Sequence, residues 1–313
     1  MMSEALAEPI VAPPFDDLSP LPRRRLAAMR AATRELFDVL EIFAQEGRHP
    51  VRDLLAGSPG PFTRWSHYPS TGVEDTGTGS CWFYHAHDPS ETRGNEHGHF
   101  HCSMYTERLP KGATALALPR ERDAKRGGLV HLAALSIDGN GVPTHLFATN
   151  RWVTGEWMYP AEEVVPLIEQ FGVAPEQRCE LTGRWLAALL RLFQPQIVWL
   201  LRERDRVLGE CRATDPGGFA EDRTIEIASV VSIDVDAQIA ALDRAWKRKR
   251  PPQRPSERAT RKPRTSAAEI ATALTRRATR TWNTVLRQDP PRVTRRAQSP
   301  SAIQADPSAG ALT

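Results

Sequence analysis

Apolar side chains at Leu26, Met29, Leu36, Leu40 and Phe43 recur at helical spacing along one face of the segment from Pro22 to Gln45. Pro22 suits a first helical turn, and Gly47 suits the position just past the last one. The spacing predicts a long helix there, followed by a short one that includes Val51 to Leu55. Past Ser58-Pro59-Gly60-Pro61 the helical period is lost, and a loop-rich stretch carries the aromatic anchors Trp65, His67 and Tyr68. The runs Cys81 to His87 and His97 to Tyr105 then read as strands, joined by the polar loop DPSETRGNE. Val130 to Ile137 and Thr144 to Asn150 flank the Asp138-Gly139 and Asn140-Gly141 pairs, a strong hairpin signal. Helical spacing returns after Pro160, over Ala161 to Phe171, Leu181 to Phe193 and Pro195 to Leu208, with Pro195 marking a break. A strand over Thr224 to Ile233 follows, then a last helix with Asp234 or Asp236 near its cap. This order predicts an α+β fold: a central antiparallel sheet of at least four strands carries a His-rich hairpin, with N-terminal and C-terminal helices packed on it.

Hydrophobic residues make up 40% of the 313, enough for a sizeable core. They thin out at both ends. Residues 1–20 are Pro-rich with few large apolar groups, and residues 247–313 are rich in Pro, Arg, Ser and Thr. Disorder is therefore expected at 1–20 and over most of 247–313, around a single domain at 21–246. Only the island from Ser266 to Arg287 has helical spacing within that tail.

The net charge of +3 conceals a split: residues 247–313 hold 16 Lys+Arg against 4 Asp+Glu, leaving the first 246 residues at −9. A basic tail on an acidic body suits nonspecific nucleic acid or an acidic partner. With Trp282 its one aromatic residue, the tail has no interleaved stacking groups. The apolar stretch Leu181 to Leu201 is interrupted by Arg184, Arg191, Gln194, Pro195 and Gln196, so a membrane span is not expected. The first residues show no basic-then-apolar run, and the four cysteines have no CxxC spacing. A cytoplasmic protein with reduced thiols is the expectation.

Five of the nine histidines fall within seventeen residues: His85, His87, His97, His99 and His101. Residues two apart in a strand share a face. So His85 and His87 point one way, as do His97, His99 and His101. A hairpin pairing 87 with 97 and 85 with 99 gathers all five imidazoles on one patch, with opposed Cβ atoms roughly 5 Å apart. Buried imidazoles need partners, and several cannot be protonated together. A divalent transition metal (Zn, Fe or Mn) resolves both problems. Glu96 adjoins the cluster as a ligand or general base, and Glu91 lies in the loop. His85, His87, His97 and His99 are the leading ligands, with His101 and Glu96 either joining or supporting them. His49, His67, His131 and His145 read as structural. Cys102 alternates with the histidines and should face away from them.

The segments WSHYP, YHAH and EHGHFH (Trp65 to Pro69, Tyr84 to His87, Glu96 to His101) resemble an uncharacterised bacterial family, a domain of unknown function. That resemblance covers roughly 25–245 and implies no activity. Gly79, His85, His87, Glu91 and Gly98 resemble the first cupin motif, which implies a β-barrel whose two histidines and glutamate bind metal; the second cupin motif is missing. His97, His99 and His101 resemble the histidines of histidine-triad nucleotide hydrolases, although Gly98 and Ser103 depart from that motif. A metal-dependent enzyme, hydrolase or oxygenase, acting on a small molecule is the leading reading. The alternatives are a non-catalytic metal-binding or sensing protein, and an adaptor that works through the basic tail. The segment Arg151 to Trp157 is expected to be a peripheral surface loop.

Overall fold

The computed structural model describes residues 15–56, 62–87, 96–118, 128–175 and 179–249. Two helices come first: α1 (Arg23–Glu46), closed by Gly47 in the left-handed conformation, and α2 (Pro50–Ala56). Five strands follow: β1 (Tyr68–Asp75), β2 (Ser80–His85), β3 (Glu96–Tyr105), β4 (Leu129–Asp138) and β5 (Pro143–Thr149). A helical stretch holds α3 (Arg151–Thr154), α4 (Ala161–Val164), α5 (Glu180–Leu192) and α6 (Gln194–Thr214). The strand β6 (Ile227–Ser232) and the helix α7 (Val235–Arg248) end it, with Asp234 capping α7 by accepting from the Ala237 N–H. The six strands form one antiparallel sheet in chain order, β1 to β6. The fold is α+β.

β1 occupies part of the stretch expected to be loop; its register against β2 shifts between Tyr68 and Val73, which weakens the alternation that would reveal it. The helix expected over 161–171 is α4 followed by a tighter turn at Val165–Glu169, because Pro166 has no N–H to continue the α ladder. The sheet leaves β1 and β6 as edges rather than closing into the barrel a cupin would need, and Glu91 lies outside the described residues. Contacts reach past both expected domain ends. Leu18, within the lead expected to be disordered, is buried in the core. Residues 247–249 belong to or follow the last turn of α7 and meet the N-terminal segment, with Lys249 Nζ donating to the Leu21 carbonyl and Arg248 pairing with Asp17.

The sheet has two unlike faces. Trp82, Tyr84, Phe100, Met104, Leu135, Ile137, Leu146 and Val231 join the core formed with α1, α5, α6 and α7. There Trp185 of α5 meets Phe100 edge-on at 5.7 Å. Directly opposed residues share a face, so the pairings define rows across the other face. One row runs His85, His99, Ser136, His145, Ser232; the next runs Phe83, His101, Ala134, Phe147, Val230; a third holds Cys81, Ser103 and His131.

Candidate metal centre

The helices cover one face of the sheet, and the histidines gather on the other. His85 pairs with His99 across β2 and β3, the register that the sequence predicts. His85 Nε2 lies 2.7 Å from His99 Nε2, and His87 Nε2 lies 3.2 Å from His85 Nε2. One ring nitrogen from each of His85, His99 and His101 lies within 4.8 Å of the others. His99 and His101 are each only 2% exposed, whereas His85 and His87 are half-buried. The cluster is a nest whose floor is β3 and whose mouth is β2.

A bulge in β3 decides which side chains enter. Glu96 opposes Asp138 while Gly98 opposes Ile137, so one extra residue sits between them. Regular alternation would put His97 beside His99 and Glu96 opposite. The bulge reverses this. The Glu96 carboxylate accepts from His99 Nδ1 at 2.5 Å, buried on the histidine side. His97 turns to the core side, where the Tyr84 hydroxyl donates to its Nδ1 at 2.5 Å. His97 therefore lies off the face that its spacing predicts it to share with His99 and His101. Gly98 permits the turn: a Cβ there would lie 2.4 Å from both the His85 carbonyl oxygen and the Tyr84 hydroxyl.

A second irregularity adds a residue that spacing alone does not point to. Between Cys102 and Ser103, β4 gains Leu132, so Ala133 opposes Cys102 and His131 opposes Ser103. Strict alternation would send His131 to the core with Ala133 and Leu135. The slip brings it to the nest instead, its Nε2 lying 3.1 Å from His101 Nδ1. His67, likewise expected to be structural, stacks on Phe83 at 4.0 Å and lies 5.7 Å from the His85 ring. No local spacing signal marks either residue, since one depends on a bulge and the other on a loop entering β1.

The electrostatics favour the neutral form of His97, His101 and His131. Burial, and then the neighbouring His99, His131, His85 and His67, hold His101 well below the ordinary histidine value. Burial and then the Arg204 cation pull His131 down to about 3. On the core side, burial and Arg64 lower His97 despite Asp138. Burial and the Glu96 charge push the Tyr84 hydroxyl well above its usual range. Cys102 faces the core as expected, with burial raising its thiol, so it is no nucleophile. An ionised Glu96 can only accept, so His99 carries its proton on Nδ1 and presents a bare Nε2 to the nest. This carboxylate–imidazole arrangement orients and strengthens a metal ligand.

The segment expected to be a peripheral loop is packed against the sheet. The Ser103 hydroxyl donates to Glu156 at 2.8 Å, Arg151 is buried and paired with Glu221, and the Trp157 N–H donates to the Leu129 carbonyl. A cavity of about 960 Å³ lies elsewhere, by α1 and α5. Its cations are engaged, Arg25 by Glu169, Arg184 by Glu35 and Arg191 by the Phe171 carbonyl. The convergent metal-ligating groups lie in the nest.

Residues 30–233 match the model of a protein family described as a domain of unknown function, DUF6969. No curated protein and no solved structure matches the chain. Among the described residues, no helix is long and apolar enough to cross a membrane.

Proposed function

The chain belongs to the DUF6969 family, and we propose that its histidine nest holds one divalent transition metal and serves a metal-dependent reaction on a small molecule, as a hydrolase or an oxygenase. The observation that carries this reading is the convergence of His85, His99 and His101 to within 4.8 Å. Ligands about 2.0–2.1 Å from a tetrahedral zinc stand roughly 3.3 Å apart, a separation these side chains reach with small adjustments. Neutral nitrogen donors favour zinc or iron over manganese. Such an ion supplies Lewis acidity and a nucleophile from water at neutral pH, or with iron a centre for oxygen chemistry.

The protein's own contribution is positioning and dryness. Glu96 holds the His99 tautomer, His131 braces His101, and Phe147 closes edge-on against both at 5.0 and 6.2 Å. With His97 turned away, three ring ligands leave coordination positions toward the half-buried mouth. A second reading, metal binding or sensing without catalysis, is favoured by one observation: His87 Nε2 is only 3.2 Å from His85 Nε2. If His87 completes a four-nitrogen set, the site is closed. Metal analysis of the purified full chain tests the common premise. Near one equivalent is expected, and His85→Ala with His99→Ala should lose it; a metal-free protein whose stability ignores added zinc or iron ends the proposal. His87→Ala separates the two readings. An open site keeps its metal affinity, whereas a closed site loses it by an order of magnitude or more.

A further inference from the structure

Among the described residues, Trp65 is 55% exposed, one of two large hydrophobic side chains on the surface. Its surroundings differ from those of a stray surface residue. Its backbone is in the left-handed conformation, with φ 64°, which costs a non-glycine residue roughly 1–2 kcal/mol. Its N–H donates to the Ala86 carbonyl at 2.9 Å, fastening the loop to the end of β2. Its ring lies 4.1 Å from the His87 ring and 6.4 Å, edge-on, from the His85 ring. His67 and Phe83, stacked on one another, each lie 5.7 Å from the same His85 ring. The one half-buried member of the three-histidine group therefore wears a collar of four rings: Trp65, His67, Phe83 and His87.

From this collar we propose that the mouth of the nest is a recognition subsite for a planar, unsaturated ring, and that Trp65 is its principal platform. The inference rests on the metal reading above and names the substrate class for that site. A ring carrying a metal-binding group that approaches the ion past His85 lies among these four rings. Two of them, Trp65 and Phe83, are large π surfaces, and the imidazoles of His87 and His67 are held close to them. Offset or edge-to-face contact with such walls favours a flat ring over a puckered one of equal size. The strained Trp65 backbone has a purpose under this reading, since it keeps an exposed indole beside the mouth.

The probe pair is benzohydroxamate and cyclohexanecarbohydroxamate, which share a metal-binding head and a ring of six carbons and differ in planarity. Each is titrated calorimetrically into the zinc-loaded full chain. The planar probe should bind about fivefold more tightly, the scale of one aromatic contact. Trp65→Ala should reduce that ratio to within about twofold, and Trp65→Phe should restore most of it. Zinc stoichiometry should stay unchanged in both variants, and Trp65→Ala should weaken cyclohexanecarbohydroxamate, which loses only apolar contact, by less than it weakens the planar probe. Equal binding of the two probes to wild type, or a preference that survives Trp65→Ala, overturns the subsite while leaving the metal centre standing. Failure of wild type to take up either zinc or ferrous iron overturns both, and is read separately from the stoichiometry before any probe is added.

Discussion

At the scale of single residues, the nest depends on which imidazoles are held as neutral donors. Glu96 and His97 adjoin in sequence and have opposite assignments. Glu96→Gln should fold normally and weaken metal binding by about 10- to 100-fold, the usual effect of losing a ligand's carboxylate partner. His97→Ala should leave metal affinity within about threefold of wild type, because its ring hydrogen-bonds Tyr84 on the core side. Competition with a chromophoric chelator measures both; a larger loss at His97 than at Glu96 would reverse the two roles. The buried imidazoles also make a pH prediction for the metal-free protein. His131 titrates at about 6.5 when unfolded and about 3 when folded. Between those values the unfolded chain binds the extra proton, so this contribution to stability is complete above about pH 6.5 and is lost as the pH falls toward 3, by about 1.4 kcal/mol per pH unit. His101, lowered in the same direction, adds to the slope. Urea midpoints from pH 8 to 5 should fall below about 6.5; a flat series means that these rings are not buried neutral.

At the scale of elements, two strand irregularities assemble the site. The β3 bulge swaps Glu96 for His97, and the β4 slip exchanges Leu132 for His131. Gly98 is the hinge of the first, pressed between the His85 carbonyl and Tyr84. Gly98→Ala forces backbone and Tyr84 apart, so a loss of about 1–3 kcal/mol is expected, together with weakened metal binding because Glu96 and His99 ride on the same turn. Gly139→Ala is the comparison, since a Cβ at Gly139 meets nothing within 4 Å. Melting curves and metal titrations on both variants decide the matter; equal, small effects would mean that the bulge has room to relax.

At the scale of the whole molecule, the chain divides by charge. Residues 250–313 carry 13 Lys+Arg and 4 Asp+Glu, which leaves residues 1–249 at a net −6. Truncation after Lys249, which keeps the contacts of α7 with Asp16, Asp17 and Leu21, should preserve both the melting temperature and the metal content. All nine histidines precede the cut. Binding of heparin or duplex DNA should vanish with the truncation, and in the full chain it should weaken steeply between about 50 and 200 mM salt. Polyanion binding that survives the truncation would remove the tail as its source.

Hydrophobic spacing alone locates α1 and its Gly47 stop, the two hairpin strands, the Asp-Gly/Asn-Gly turn and the α+β order, because these depend on neighbours close in the chain. The alternation of histidines in β2 and β3 likewise determines that His85, His99 and His101 share a face, and the pairing of His85 with His99 follows from their positions about a common turn. Local spacing could not determine the rest. A bulge inserts one residue and inverts every side-chain direction beyond it, so a pattern that assumes an unbroken period of two places Glu96, His97 and His131 on the wrong sides. β1, the entry of Trp65 and His67 to the mouth, and the burial of Leu18 depend on contacts between distant segments. Tertiary packing decided those, since only there do the steric limits at Gly98 and the competition for one buried face come into force.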